Sequence, residues 1–415
     1  MSEWKKVKLG DYCEITSSKR CLASVRSKNG IPFFCSKEII CLDKGEDFEP
    51  TDFIPEELYN DIKAKYGVPT SGDLLLTTRG TNGIPYIYKP SDKFYFADGN
   101  LSWFKNFGKE LSPQYLYYWF KSPLGIHEVD AISKGTAQKA VPIDGLRRIV
   151  LLTPSLHTQN RIVVILSRYD SLIENYQKQI KLLEEAAQRL YKEWFVDLHF
   201  PGHENTNIVD GVPEGWEKKK LCELFSFVRG KSYTSKELSD EGTIMVNLKN
   251  IQSFGGYKSD VEKHFIGTFK EEQTLMKGDL IMGVTDMTQE RRLVGSVALI
   301  PDFKETATFS MDLIKLISFK LPNIYLYCAM RYGDVSRQIA PLANGVNVLH
   351  LKPEAISNIE MVVASDSIIE KFVSYTSKTI ERILSLQSQL RLLTEARDRL
   401  LPKLMSGEIK IESLN

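Results

Sequence analysis

The sequence predicts an α+β protein in which two globular α/β or mostly β domains are separated by two long antiparallel coiled-coil helices. Three observations support this fold class: a long internal repeat, a heptad pattern at the end of each repeat, and short strand-like runs in front of it. The chain has 415 residues, which is enough for two or three domains. The architecture is therefore predicted to be an internal duplication with pseudo-twofold symmetry.

The internal repeat has an offset of 210 residues. The segment from Gly135 to Phe195 aligns without a gap with the segment from Gly345 to Met405. Earlier parts match more loosely, and SGDLLLTTRG at 71–80 resembles KGDLIMGVTD at 277–286. In each of these two segments, a Gly-Asp turn precedes an apolar run that is typical of a buried strand. Agreement over this length indicates one duplicated unit of about 210 residues.

Each repeat ends in a heptad pattern that is typical of a long helix. Apolar residues recur at steps of four and three from Ile162 to Trp194, and a pattern in the same phase runs from Phe372 to Leu404, weakened by two threonines and an arginine. Such a seam needs a partner helix to bury it. Each helix would be about 55 Å long at 1.5 Å per residue. Because the two seams have the same length, we predict an intramolecular antiparallel pair; pairing with a second copy of the chain is the alternative.

These patterns divide the chain into five segments. The globular domains are predicted at 1–153 and 216–362, because β-branched and aromatic runs such as KFYFA and LIKLISF alternate there with turn residues. The helices are predicted at 154–200 and 363–415. The stretch 201–215 is rich in Gly, Pro and Asn and is predicted to be a linker.

Composition argues against several broad classes of protein. The chain has 54 basic and 53 acidic residues and a net charge of +1, unlike a simple basic nucleic-acid binder or an acidic disordered protein. It has no apolar run of membrane-spanning length and no signal peptide, so we expect a cytoplasmic protein without membrane association. The six cysteines form no CxxC pair and are expected to be reduced.

The sequence contains no catalytic or metal-binding motif with the spacing that its chemistry requires. The GKS triplet at 230–232 lacks the first glycine of a phosphate-binding loop, because Phe225 takes its place. The chain has no Pro-Pro pair, which the amine-gripping loop of a methyltransferase would need. His199 and His203 are separated by Pro201, which prevents the helix that would direct both at one zinc ion. We therefore expect a non-catalytic binding subunit without a metal of its own.

Charge is segregated along this neutral chain. Basic residues concentrate at 15–37, 134–148 and 216–236, whereas 43–61 carries eight acids and one lysine. Segregated charge indicates a local positive face. Polar side chains that can contact base edges lie in and near these segments; Arg and Lys suit guanine, while Asn and Gln suit adenine. The alternative is a solvated, lysine-rich surface.

These features together resemble the specificity subunit of type I restriction–modification enzymes. The segment KGTAQKAVPIDGLRRIVLLTPSLHTQNRIVVIL at 134–166 looks like the family's junction between a target recognition domain and its helix, including Gln159 and Ile162. LLTEARDRLLPKLMSGEI at 392–409 looks like the family's C-terminal helix ending. The resemblance covers nearly the whole chain, although the second junction, VVASDSIIEKFV, lacks the Pro and Gln of the first.

The resemblance implies that this chain shares its task with partner subunits. The globular domains would be target recognition domains that each read one half of a split site in double-stranded DNA. The helices would set the spacer and dock the modification subunits, which are expected to number two. Those partners would bind S-adenosylmethionine and methylate adenine, and restriction subunits would add ATP- and Mg-dependent translocation and cutting. This chain would bind no cofactor and catalyse nothing.

The resemblance and the residue pattern together assign three kinds of contact residue. Candidates for base contact follow the Gly-Asp strands or flank the junction glycines: Arg79, Thr81, Asn82, Gln138, Asp286, Thr288, Gln289, Arg291, Arg292, Asn344 and Asn347. Candidates for phosphate contact are basic: Lys19, Arg20, Lys28, Lys134, Lys139, Arg229 and Lys231. Candidates for partner contact lie near the end of the first helix: Tyr191, Trp194 and Phe195. Trp194 is a seam position, so the alternative is that it belongs to the core.

Two functions of other kinds remain open from the residues alone. The chain could be a non-catalytic coiled-coil scaffold that joins two protein-binding modules, or an RNA-binding adaptor. The basic segments favour a nucleic acid over the scaffold. An RNA-binding sheet would need aromatic residues that stack on bases, and no such motif is recognisable in the sequence.

Overall fold

A computed structural model describes residues 4–46, 48–135, 139–259, 263–409 and 411 of the chain. The chain divides into two compact units. Unit 1 comprises Met1–Ser171 together with Glu395–Asn415, and unit 2 comprises Leu172–Thr394. Each unit therefore contains one globular portion and a part of both long helices.

Unit 1 contains a four-stranded antiparallel sheet, a three-stranded sheet and a two-stranded ribbon. The strands of its described residues are β1 (Lys5–Lys8), β2 (Glu14–Thr16), β3 (Ile31–Phe34), β4 (Phe53–Ile54), β5 (Leu74–Thr77), β6 (Pro85–Ile87), β7 (Tyr95–Phe96), β8 (Leu101–Lys105) and β9 (Val150–Thr153). The large sheet has the order β2-β8-β5-β6, and the smaller sheet has the order β4-β3-β7. β1 pairs with β9, so the first strand of the unit lies beside the strand that leads into the long helix.

Unit 2 repeats this topology. Its described strands are β10 (Ile208–Val209), β11 (Val212–Pro213), β12 (Glu217–Lys220), β13 (Phe225–Arg229), β14 (Leu238–Ser239), β15 (Thr243–Val246), β16 (Lys263–Phe265), β17 (Leu280–Gly283), β18 (Thr285–Asp286), β19 (Val297–Leu299), β20 (Ala307–Phe309), β21 (Leu313–Ser318), β22 (Leu349–His350) and β23 (Glu360–Val363). The sheet order β13-β21-β17-β19 matches β2-β8-β5-β6, and the ribbon β12-β23 matches β1-β9. The repeat in the sequence is therefore a repeat of the fold.

Helices cover the sheets and join the two units. The described α-helices are α1 (Ser36–Lys44), α2 (Glu56–Tyr66), α3 (Pro113–Lys121), α4 (Pro123–Ile132), α5 (Ile143–Arg148), α6 (Leu156–Tyr191), α7 (Leu221–Leu224), α8 (Asn323–Tyr332), α9 (Val335–Ile339) and α10 (Asp366–Ser406). Short 3₁₀ turns lie at Leu9–Asp11, Ala23–Val25, His203–Asn205, Ser235–Glu237, Leu248–Asn250, Glu271–Gln273, Ala340–Leu342 and Pro353–Ile356. α3 begins where the Ser112 hydroxyl caps the Tyr115 N–H and proline fills the first turn.

The long helices α6 and α10 run antiparallel within each unit. In unit 1, Arg397 of α10 donates to Asp170 of α6 at 2.9 Å. In unit 2, Tyr191 near the end of α6 lies against Phe372 near the start of α10, with ring centroids 6.0 Å apart. A second contact in each unit fixes the direction: Arg161 donates to the Ile411 carbonyl at 3.3 Å in unit 1, and Arg382 donates to Gln179 at 3.4 Å in unit 2. Residue numbers therefore rise along α6 as they fall along the segment that pairs with it. The predicted intramolecular antiparallel pair is confirmed.

The polar residues in the second seam find partners inside the helix pair. Thr376 is buried, and its hydroxyl donates to the Phe372 carbonyl one turn earlier, at 2.8 Å. Arg397 is held by the carboxylates of Asp170 and Asp398, at 2.9 Å each. These contacts satisfy the polar groups of Thr376 and Arg397, so these two positions do not interrupt the pairing.

Each unit has its own apolar core. The core of unit 1 contains residues of the large sheet, of α3 and of both long helices, for example Leu74, Phe120 and Leu166. The core of unit 2 is built in the same way, for example from Leu280 and Phe372. The six cysteines are free thiols. Among the described residues, none of the helices combines the length and apolar character needed to span a membrane.

Candidate nucleic-acid interface

In unit 1, a loop and a hairpin form one continuous surface. The loop 78–83 follows β5. Lys134 and Ala140 pair as an antiparallel bridge, called here the hairpin of unit 1. The N–H of Val141 donates to the Thr78 carbonyl at 2.9 Å. The side-chain amide of Asn82 donates to the Lys139 carbonyl at 3.1 Å. Segments that are more than fifty residues apart in sequence therefore present their side chains together.

The candidate residues on this surface are accessible. Arg79, Thr81, Lys134 and Lys139 are exposed, and Asn82 is half-buried. The Lys139 ammonium lies 3.2 Å from the Asp130 carboxylate. An exposed pair of this kind contributes little net stability, so the lysine can turn to another anion. Gln138 lies outside the described residues.

Buried hydrogen bonds fix the backbone of this loop. The hydroxyl of Ser36, at the start of α1, lies 3.1 Å from the carbonyls of both Arg79 and Asn100. The Thr78 N–H donates to the Asn100 carbonyl at 2.8 Å, and the Gly83 N–H donates to Thr77 at 2.7 Å. The loop is thereby held in one conformation before it meets a ligand.

Unit 2 builds the equivalent surface from the equivalent elements. β18 pairs with β22, which brings the loop 287–292 beside the hairpin 344–350. The side-chain amide of Gln289 donates to the Val346 carbonyl at 2.9 Å, as Asn82 does to the hairpin of unit 1. Four more candidates are exposed here: Thr288, Arg292, Asn344 and Asn347. Arg291 is partly buried, with a positive φ of 53°.

The assignment of Asp286 as a base contact needs correction. Its buried carboxylate accepts hydrogen bonds from the Thr288 N–H at 2.8 Å, the Thr288 hydroxyl at 2.9 Å and the Leu293 N–H at 2.8 Å. These bonds leave the carboxylate turned into the loop and away from solvent. In this conformation Asp286 therefore shapes the loop and does not offer its carboxylate to a base. The Asp-x-Thr spacing is a signal for such a turn.

Besides Lys134 and Lys139, the five basic residues assigned to phosphate contact fall into two groups. Lys19 and Arg20 in unit 1 and Lys231 in unit 2 follow the first strand of the large sheet, and Arg229 ends that strand in unit 2. Hydrogen bonds to one intervening turn link the segment that carries these residues to the strand that leads into the loop. In unit 2, for example, the Lys231 carbonyl accepts from the Met311 N–H, and the Asp312 carbonyl beside it accepts from Val284, each at 2.9 Å. Lys28 is exposed beside β4 and so belongs to the smaller sheet.

Two of these basic side chains have an acidic neighbour. The Arg20 guanidinium lies 3.9 Å from Asp98, and the Arg229 guanidinium lies 2.6 Å from Glu354. The Glu354 pKa is lowered, chiefly by its hydrogen bond with Arg229. All four side chains are at least one third exposed, so the pairs can exchange for a phosphate.

The assignment of Tyr191 and Trp194 to partner contact also needs correction, because both side chains are buried in the core of unit 2. The rings of Trp194 and Phe195 lie 5.8 Å and 4.9 Å from Phe372. The burial of Trp194 agrees with the alternative that its seam position offered. A single π-helical turn at Lys192–Val196 also inserts one residue into the helical repeat. It turns adjacent aromatic residues toward the same partner. Phe195 is partly buried.

A pocket of about 380 Å³ lies beside the loop in unit 1. The loop residues Asn82 and Gly83 form one wall, and Asp170 and Arg397 of the long helices form another. The Tyr118 hydroxyl donates to Asp170 at 2.6 Å. Burial and the Asp170 charge raise the pKa of Tyr118. The described residues contain no group of His, Cys, Asp and Glu side chains arranged to hold a metal ion.

Comparisons with known proteins agree with these observations. Residues 1–185 match the family model of the type I restriction modification DNA specificity domain. The chain is 28% identical over 309 residues to the MjaIX specificity subunit of Methanocaldococcus jannaschii, a match that covers 72% of this chain and 70% of that one. It is 22% identical over 496 residues to the HindI specificity subunit of Haemophilus influenzae, covering 99% of this chain and 100% of the relative.

A solved structure shares the fold over nearly the whole chain. It is the S subunit of the type I restriction-modification system from M. genitalium, with a TM-score of 0.58 and 17% identity. The match covers 97% of this chain and 96% of that chain. The duplicated topology, the antiparallel helix pair and the sequence matches lead to one conclusion. This chain is similar over nearly its whole length to type I restriction–modification specificity subunits, and its residues 1–185 match that family's DNA specificity domain.

Proposed function

We propose that this chain is the DNA-recognition subunit of a type I restriction–modification complex, and that each unit reads one half of a bipartite site in double-stranded DNA. The observation that carries the proposal is the repeated surface. In each unit, a loop after a central strand lies against a hairpin, and one side-chain amide, of Asn82 or Gln289, ties the two together. A surface that occurs twice in one chain fits a site that occurs in two parts.

The side chains on the two surfaces suit DNA in different ways. Arg79 in unit 1 is exposed and can donate two hydrogen bonds to guanine in the major groove. The amide groups of Gln289, Asn344 and Asn347 in unit 2 can pair with adenine. The basic segments that border both loops contact phosphates, which positions the chain without specifying sequence.

The helix pair is proposed to set the spacer and to dock two modification subunits. α6 and α10 have 36 and 41 residues, and thus lengths of about 54 and 62 Å. Half-sites one DNA turn apart are separated by about 34–36 Å, which helices of this length can bridge. In this proposal the helix pair acts as the ruler between the two half-sites.

The chemistry is proposed to belong to the partners. Modification subunits supply S-adenosylmethionine and methylate adenine, and restriction subunits supply the steps that need ATP and Mg. The residues of this chain bind DNA and orient the site, and catalyse nothing. The complex is proposed to act in the cytoplasm, where it meets DNA.

Genome-wide mapping of methyladenine tests this proposal. The chain is co-expressed with its modification subunit in a host that lacks related methylation, and the modification subunit alone is the control. We expect methylation at one split motif, only when both subunits are present. An assembled complex that leaves no new methylation, or that marks one continuous motif, would contradict the proposal. The first of these outcomes would favour a scaffold instead.

A further inference from the structure

The surface of unit 2 carries exposed apolar side chains that the contacts above do not explain. Met287 is 77% exposed, Val346 is 87% exposed and Met311 is 55% exposed. Single exposed apolar residues are ordinary on a protein surface. These three lie together, because Met287 is in the loop, Val346 is in the hairpin and Met311 is in the turn that borders the loop.

The backbone holds these side chains outward. Asp286, immediately before Met287, is fixed by three hydrogen bonds from the loop. The carbonyl of Val346 accepts from Gln289 at 2.9 Å, which fixes the hairpin against the loop. Gly345 has a φ of 151°, and a Cβ there would lie 1.9 Å from the Val348 carbonyl oxygen. The tight turn at Gly345 thus displays the neighbouring valine to solvent.

Unit 1 lacks these apolar side chains at the matching places. The strands before the loops align with an offset of 206, and the shared role of Asn82 and Gln289 gives 207, so Met287 matches Thr81 or Gly80, neither of which is a large apolar residue. Lys19 and Lys231 occupy matching segments with an offset of 212, so Gly99 matches Met311. The position that matches Val346 lies outside the described residues. The two duplicated surfaces therefore differ, because the methionines exposed in unit 2 have no large apolar counterpart in unit 1.

We propose that Met287 and Val346 recognise the 5-methyl group of thymine in the half-site read by unit 2. The inference rests on the proposed function. The thymine methyl is the apolar group that A·T pairs present in the major groove, and apolar side chains contact it there. Methionine is unbranched and flexible, so it adapts to such a small group. The amides of Gln289 and Asn344 lie on the same surface and can pair with the adenine partner of that thymine.

Deoxyuridine tests this inference, because it differs from thymidine only by the missing methyl group. Binding of the complex of this chain with its modification subunit is measured on duplexes that carry the mapped site, with each thymine replaced in turn. We expect about a fourfold loss of affinity at one or more thymines of one half-site, the effect of one buried methyl group. The other half-site should show no such loss.

Alanine variants then assign the effect to residues. Met287→Ala and Val346→Ala alter exposed side chains, so the fold should persist, and the double variant should bind thymine and uracil duplexes equally. Met276→Ala is the matched control, since Met276 is 67% exposed but precedes β17, whose other end carries the loop. The Met276→Ala complex should still bind the thymine duplex about four times more tightly than the uracil duplex.

The outcomes separate this inference from the proposed function. A wild-type complex that methylates a split motif but binds every uracil duplex as well as thymine would overturn the inference and leave the proposed function intact. A thymine preference that survives in the double variant would also overturn it. Absence of any split motif would overturn the proposed function, and the inference with it.

Discussion

Replacing Glu184 by glutamine removes the charge partner of a buried arginine in unit 2. The guanidinium of Arg331, on α8, donates to both carboxylate oxygens of Glu184, on α6, at 2.8 and 2.9 Å. The side chains are only 10% and 13% exposed. Burial alone lowers the pKa of Arg331, but Tyr327 and Glu184 outweigh it and hold that pKa well above its usual value. Because a guanidinium is not deprotonated at ordinary pH, the arginine stays charged when its partner is lost.

The size of the effect follows from this burial. Removing one partner of a buried ion pair costs about 3–5 kcal/mol, because the other charge is left uncompensated. Glutamine keeps one acceptor for Arg331, so we expect about 3 kcal/mol for Glu184→Gln. In a unit of about 220 residues, 1 kcal/mol shifts Tm by about 2–4 °C, which gives a decrease of about 6–12 °C.

Thermal and urea unfolding of the full chain, followed by circular dichroism, measures this loss. The matched control is Glu185→Gln, one residue further along α6. The carboxylate of Glu185 lies 3.9 Å from Arg189 in an exposed pair, so its loss should cost about 0.5 kcal/mol or less. If Glu184→Gln destabilised the chain no more than its neighbour, the claim that this ion pair secures the globular part of unit 2 to α6 would be refuted.

Three further predictions concern the core, the thiols and the helices. Gln159→Ala should lower the free energy of unfolding, measured in urea, by about 3 kcal/mol, because the buried Gln159 amide bonds the Ser112 N–H and the carbonyls of Glu110 and Pro154. Gln188 is exposed on the same helix, so the control Gln188→Ala should leave the free energy of unfolding almost unchanged. Burial raises the pKa of Cys328 to about 12, so Ellman's reagent should label the exposed Cys222 at once and Cys328 only after unfolding; equal rates would contradict this. Deleting one heptad between Tyr176 and Leu183, with a matching deletion in α10, should change the spacer length in a methyladenine map and preserve both half-site sequences. Altered half-site sequences would refute the claim that the helices set only the spacer.

The helices and the duplication could be predicted because they rest on periodicity over many residues. The steps of four and three from Ile162 to Trp194 leave one apolar stripe, and a stripe of this length has few ways to be buried. The threonines and the arginine of the second seam were expected to weaken it. The structure shows that Thr376 and Arg397 find partners within the pair, which a pattern of apolar residues does not reveal.

The candidate surfaces were predicted less completely, because side-chain direction at the end of a strand depends on tertiary contacts. The loop and the hairpin of each unit were both selected, and the structure brings them together. Asp286 was assigned to DNA since it follows a buried strand, yet the loop folds back onto its carboxylate. The core position of Trp194 was the alternative that the heptad pattern offered, whereas the packing of Phe195 depends on a π turn, which has no clear sequence signal. Met287 and Val346 were not predicted, because the candidates for base contact were polar side chains and these two residues are apolar.

Methyladenine mapping with one variant in each unit tests the central claim most directly. Arg79→Ala alters the loop of unit 1, and Gln289→Ala alters the equivalent loop of unit 2. Both variants are expressed with the modification subunit and compared with the wild-type chain. We predict that each variant relaxes the sequence of one half-site, a different half for each, and leaves the other half and the spacer unchanged. Variants that both relaxed the same half, or that left both halves intact, would contradict the account.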